Sequence, residues 1–328
     1  SNAFGGKTIG TVAGGLTHSM VLTTDGSLFA WGNHNNNQLG TGPVYLPTLA
    51  GGSSTLYPSY NVPQPVSVGY TLGAISAGNN HSLAVTSDGR LMAWGSGGSG
   101  QLGSGTYVST AVPGFVATNA ATAGKVFVSV AGMGDSSLAL TSDGKVFAWG
   151  VGTSGQLGGG TLLSIPTPTL VGGTGALASK TVVSIAAAAN GGSGYAVTLD
   201  GKLFSWGANS SGQLGLGHSA VTSVPTQVSL LGSVGGTTAP VDVSAVAVGS
   251  NHVLALAANG QLFAWGANGS GQLGTGGTAS ANLPVPVLMG AMAGKTVIEI
   301  AAGGSTSLAL TSDGCVYAWG DNSGGSVG

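Results

Sequence analysis

At 328 residues the chain is long enough for two domains, yet only 5% of it is charged, against roughly 25% in ordinary soluble proteins, and 63 residues are glycine. No apolar run reaches the ~18 residues of a spanning helix and there is no strict glycine period, so helical membrane insertion and a collagen-like chain are excluded. A net charge of −2 without any basic run removes the electrostatic footprint of a nucleic-acid binder.

Ser1-Asn2-Ala3 resembles the remnant of a cleaved expression tag and is set apart from the fold. From Ile9 the sequence IGTVAGG predicts a short strand crowded with Ala and Gly. Similar strands begin at Gly73, Val128, Val183, Ser244 and Ile298. Small residues suit the innermost strand of a propeller blade, where neighbouring blades converge. A hairpin follows each one: Ser19–Gly32, Ser82–Gly95, Ser137–Gly150, Gly194–Gly207, Val253–Gly266 and Ser307–Gly320.

The last hairpin reads SLALTSDGCVYAWG, and its Asp313-Gly314 pair predicts a two-residue type I′ turn. That turn pairs Ser312 with Cys315, Leu310 with Tyr317 and Leu308 with Trp319. One face is then large and the other small but apolar, so each sheet is expected to lie between neighbours. All six tryptophans, Trp31, Trp94, Trp149, Trp206, Trp265 and Trp319, share one repeat position 54 to 63 residues apart. Their phase with the hairpin marks them as core rather than a ligand platform.

A Gly/Asn/Ser loop ends each hairpin in Gln-Leu-Gly, as at Gln38, Gln101, Gln156, Gln213 and Gln272, decaying to Ser326-Val327-Gly328. Proline-marked segments come next, at Val62, Ile165 and Leu283, and read as outer edge strands. The expected fold is an all-β propeller of six repeats with four-stranded antiparallel blades, a single domain over residues 4–328. No sixth proline segment follows Trp319, so the last blade is expected to be incomplete.

On these G-x-x-H-S, D-G-x-x-x-x-W-G and G-Q-L-G elements, residues Ile9 to Gly328 resemble the regulator-of-chromosome-condensation repeat family. The resemblance implies a β-propeller, commonly of seven blades, where this chain shows six copies. It also implies binding, since members of that family include an exchange factor for a small GTPase and a secreted β-lactamase inhibitor.

Candidate chemistry is sparse. His18, His81 and His252 occupy one position where Ser136, Ser193 and Thr306 stand in other repeats, which suggests hydrogen bonds to the local turn. With the turn aspartates set aside, Asp135, Asp242, Glu299 and Asp321 fall at unrelated repeat positions, so no acid–base pair is visible. Neither a catalytic set, a metal site nor a cofactor is expected, and the single cysteine, Cys315, permits no intrachain disulfide.

The connection Thr41 to Tyr70 is the outlier, holding Tyr45, Tyr57, Tyr60 and Tyr70 among several prolines. Tyrosines on a stiff loop suit partner binding, although a loop folded back over a blade edge would also use them. The expected function is non-catalytic binding of a protein or glycan, without nucleic acid or membrane insertion. Guanine-nucleotide exchange or chromatin regulation is the alternative, and a loop-based enzyme a further one. An extracellular or surface location fits better than the cytoplasm.

Overall fold

The computed structural model describes residues 4–47, 53–56, 58–188, 191–234 and 237–328. In it, each Thr-x-Asp-Gly sequence closes its hairpin through its own side chains. In the second repeat, the Thr86 hydroxyl donates to the Asp88 carboxylate and accepts the Arg90 N–H at 3.0 Å. The third and fourth repeats do the same through Thr141 with Lys145 and Thr198 with Lys202. The Thr86 N–H reaches the Arg90 carbonyl and the Gly89 N–H returns to the Thr86 carbonyl.

This is a type I turn followed by glycine in the left-handed region, Gly89 at φ 83° and Gly314 at 83°. A type I′ turn would need positive φ at the aspartate as well, and none of the turn aspartates has it. The longer turn moves the register by one residue from the two-residue reading. Leu310 faces Val316, Ala309 faces Tyr317, Leu308 faces Ala318 and Ser307 faces Trp319. Beyond the Leu310–Val316 pair at the turn, large residues oppose small ones on both faces, instead of gathering on one.

The corrected register explains how blades stack. In the third blade Phe147, Trp149 and Ala139 share one face, and they pack on Leu83, Val85, Leu91 and Ala93 of the second. Tyr195, Val197 and Leu203 of the fourth blade meet Val253, Phe263 and Trp265 of the fifth in the same way. An aromatic face against an aliphatic face is thus the repeating contact.

The fold is a six-bladed β-propeller. The chain divides into two compact units, residues 1–152 with 163–170, and residues 153–162 with 171–328. The first unit holds three four-stranded sheets. Their innermost strands are Ile9–Gly14, Leu72–Ala77 and Phe127–Met133, and their outer strands Tyr60–Val66, Thr110–Phe115 and Ile165–Leu170. A small hairpin, Val44–Pro47 with Ser53–Leu56, lies within the Thr41–Tyr70 connection.

The second unit holds sheets beginning with Val182–Ala187, Val243–Val248 and Val297–Gly303. The first two close with Thr222–Val228 and Ala281–Pro286, whereas the third has three strands, ending at Val316–Gly320. A second small hairpin pairs Leu231–Val234 with Thr237–Pro240. Among the described residues the helical content is one 3-10 turn, Gly290–Met292.

Proline placement follows one rule. The outer-strand residue facing the glycine after tryptophan is Tyr60, Thr110, Ile165, Thr222 or Ala281, and the residue three further on is Pro63, Pro113, Pro168, Pro225 or Pro284. Each proline sits where the register shifts, on an edge strand, so its missing N–H breaks no ladder bond.

Candidate interaction surface

The residues that carry chemistry in this sequence are largely engaged between blades. His18 Nε2 lies 2.9 Å from Ser82 Oγ, His81 Nε2 2.9 Å from Ser137 Oγ, and His252 Nε2 2.9 Å from Ser307 Oγ. Each serine belongs to the following blade, so these histidines fasten neighbouring blades and do not serve their local turn. The serine hydroxyls donate onward to the carbonyls of Gln38, Gln101 and Gln272 at 2.7–2.8 Å. Where Ser136 and Thr306 replace histidine, the bond stays within the blade but reaches 15 residues along the chain, past the third strand. Ser136 donates to the Val151 carbonyl and Thr306 to that of Asp321.

The G-x-x-H spacing has a steric cause. A Cβ on Gly15, Gly78 or Gly249 would stand 2.1–2.4 Å from the Cε1 of the histidine three residues later. In the third blade, where Ser136 replaces histidine, the glycine slot holds the fully buried Met133 instead. Gly78→Ala should therefore destabilise by about 1–3 kcal/mol through overpacking. Gly73→Ala, whose new methyl meets nothing closer than 4.0 Å, should leave the urea midpoint nearly unmoved.

The Gln-Leu-Gly loops receive the tryptophans of the next blade. Trp149, Trp206, Trp265 and Trp319 donate to the carbonyls of Gln101, Gln156, Gln213 and Gln272 at 2.7–2.9 Å. Each indole lies over the loop's glycine, where a Cβ at Gly103 would come within 2.7 Å of Trp149 Nε1. Trp94, Trp149, Trp206 and Trp265 have no exposed surface, while Trp31 and Trp319 are half-buried. Phe4 packs on Trp31 and edge-on against Phe29. In the fifth blade Val253 lacks the serine hydroxyl, and Tyr195 of the fourth supplies it, donating to the Gln213 carbonyl at 2.7 Å. Burial pushes the Tyr195 phenol upward, so it stays protonated.

Charges are likewise matched. Lys7, Lys125 and Lys295 pair with Asp25, Asp143 and Asp313, each lysine 18 residues before its aspartate. Lys180 pairs with Asp200 and Lys202 with Asp242. The lysine and a threonine hydroxyl hold the carboxyls of Asp25, Asp143, Asp200 and Asp313 below the usual range.

The second blade breaks this pattern. Eighteen residues before Asp88 stands Tyr70, and the cation comes from Arg90 on the hairpin itself, 2.7 Å from Asp88. The Arg90 guanidinium lies 4.6 Å from the Tyr70 ring centre and 4.5 Å from that of Phe115. The two rings meet edge-on at 5.1 Å, and Tyr70 and Phe115 remain 45% and 42% exposed.

The four tyrosines of the long connection thus take different places. Tyr70 is exposed in this stack, whereas Tyr60 faces Gly32 and packs against the core around Met20, Leu39 and Trp94. Tyr45 lies on the strand Val44–Pro47, and Tyr57 is outside the described residues. Arg90 and Phe115 were not singled out in the sequence. The signal for them was the tyrosine in the lysine slot.

Six in-phase repeats whose blades are fastened by indole, imidazole and glutamine groups define a repeat β-propeller. Sequence profiles described as "Regulator of chromosome condensation (RCC1) repeat" match residues 25–85, 88–140, 143–191, 200–256 and 259–310, and a second profile so described matches five further stretches between 11 and 326. The chain belongs to that family. It is 30% identical over 321 residues to human E3 ubiquitin-protein ligase HERC2, covering 97% of this chain but 6% of HERC2's length.

Among solved structures, human WBSCR16 superposes with a TM-score of 0.76 at 27% identity, over 92% of this chain and 72% of that one. Yeast RCC1 (Prp20), solved with Kap60 bound to it, shares the fold with a TM-score of 0.74 at 24% identity, over 96% and 70%.

Proposed function

We propose that this chain is a non-catalytic binding module that recognises a protein or glycan partner through its connections, with the Thr41–Tyr70 segment at the centre of contact. The supporting observation is where side-chain chemistry is left over. Histidine, serine, glutamine and tryptophan groups hold blades together, and the ion pairs brace turns. Tyr70 and Phe115 are large aromatics exposed beside a stacked cation, the kind of residue that anchors interfaces. Membership of a family whose yeast namesake is seen with Kap60 bound is consistent with this role.

The test is capture of partners from the native source on the immobilised chain, followed by affinity measurement. Replacing Tyr45, Tyr57 and Tyr70 together by alanine should weaken binding by at least ~2 kcal/mol, about 30-fold, with thermal stability unchanged. Tyr60 is left in place because its loss would disturb the first blade. Equal affinity of the triple variant would move the site away from this connection.

A further inference from the structure

Two departures from the repeat, Tyr70 in a lysine slot and Phe115 on the outer strand, meet on Arg90, whose position after the Asp-Gly turn also holds a cation in the third and fourth blades, Lys145 and Lys202. Phe115 stands opposite Met92, where the other blades carry Pro65, Leu170, Gln227 and Pro286 opposite a phenylalanine. A polar residue suffices for folding at both positions, as Lys125 and Gln227 show in other blades. A local rule broken twice in contact, without a gain to the core, marks a functional site more than a structural one.

A cavity of about 220 Å³ opens immediately beside this stack, walled by Phe115, Phe127 and Val116, with Thr118 at its edge. Arg90 and Lys125 both line it, while their carboxylate partners Asp88 and Asp143 do not. Among the described residues no acidic side chain lines the cavity. Leu91, Phe115, Val116 and Phe127 give it an apolar wall, Arg90 and Lys125 add two cationic residues to the lining, and the exposed ring of Tyr70 meets Phe115 beside it. That combination complements a large apolar side chain with a carboxylate next to it.

We infer that the second blade carries a peptide-binding pocket, in which a partner's extended segment inserts a leucine, methionine or phenylalanine side chain against Phe115 and Phe127. A flanking aspartate or glutamate of that segment meets Lys125 and Arg90. The inference rests on the binding-module reading and gives it a site and a ligand chemistry. A glycan can supply a carboxylate but not a large apolar side chain beside it, so the pocket selects for peptide.

A random dodecapeptide display library selected on the full chain tests this. The expected outcome is enrichment of an acidic residue adjacent to a large apolar one. Synthetic versions of the enriched peptides should bind at least tenfold more weakly when the acid is changed to its amide. They should lose a similar factor against Lys125→Ala, and more against Thr118→Trp, which fills the cavity from its edge. If Thr118→Trp shifts the thermal midpoint, the Lys125→Ala and amide comparisons decide. Peptides of another class, or peptides indifferent to both substitutions, overturn the pocket and leave the module reading standing. Capture of no partner at all in the earlier experiment would sink the module reading itself.

Discussion

Trp149→Ala should lower the stability of the fold by about 3–5 kcal/mol, the range for deleting a large aromatic from a core. Trp149 has no exposed surface and fills the contact between the second and third blades with Phe147, Leu83 and Leu102. Its Nε1 donates to the Gln101 carbonyl at 2.9 Å. That carbonyl also accepts from Ser137 Oγ at 2.8 Å, so removal of the indole leaves no orphaned acceptor. The loss is therefore mainly a cavity beside Gly103, a residue that cannot grow inward to fill it. Trp149→Phe keeps most of the volume and should cost less, with the hydrogen bond's share near ~1 kcal/mol. Trp319→Ala provides the contrast, because that side chain is half-buried and forfeits less packing. Urea denaturation read by circular dichroism decides the matter. A midpoint that barely moves for Trp149→Ala would mean the indole is not part of the core.

What could be read from the sequence follows from which interactions are periodic. The hairpins and the tryptophan phase recur every 54 to 63 residues and the edge prolines every 50 to 59, and a recurring feature reports the blade without any knowledge of its neighbours. The three-stranded last sheet followed from the same count. The hairpin register did not, because Asp-Gly and Asn-Gly suit two turn types, and the fifth repeat takes the longer one with Ala257 in place of the threonine. Where it is present the threonine braces the longer loop, as Thr311 does by donating to Asp313. A shift of one residue then changes which side chains meet.

The histidine contacts were hidden for a different reason. His81 bonds Ser137, 56 residues away, and the serine's presence in both blades made a local partner look sufficient. The site around Tyr70 was half legible: the tyrosine stood out by composition. Arg90 and Phe115 emerge only when each repeat is used as a control for the others. Cavities carry no sequence signal of their own, and the one beside Phe115 became visible only with the backbone in place.

Acidification from pH 7 to 4.5 should remove several kcal/mol of stability, most of it before the paired carboxylates contribute. The hydrogen-bond chain fixes the histidine tautomers. The Gln38 carbonyl can only accept, so Ser82 donates its proton there and its oxygen must accept from His18 Nε2–H. His81 and His252 stand in the same relation to Ser137 and Ser307. The remaining nitrogens, Nδ1 of His18, His81 and His252, are buried without a hydrogen-bond partner. Protonation would place a charged N–H there with nothing to receive it.

Burial accordingly lowers these histidines from 6.5 to about 4, about 3 and about 4 for His18, His81 and His252, with repulsion from His34 and His18 adding to the first two. The folded-state values lie below the unfolded one, so the unfolded chain binds more protons between pH 6.5 and about 4. Stability is full above pH 6.5 and falls as pH drops through that window, reaching a floor below the folded values. At pH 4.5 each histidine contributes a loss of roughly 2.5 kcal/mol, since every pH unit below 6.5 costs about 1.4 kcal/mol. Three together amount to a large part of the roughly 5–15 kcal/mol typical of a folded domain. The paired aspartates have depressed values, so their share of the stability begins to fall at about pH 5 and is lost mainly below about pH 4, after most of the histidine loss. Urea midpoints at pH 7, 5.5 and 4.5 should fall steadily, and His81→Asn should reduce that slope by about a third. Proton NMR gives the direct check. Imidazole resonances of His18, His81 and His252 that titrate near 6.5 in the folded protein would refute the argument.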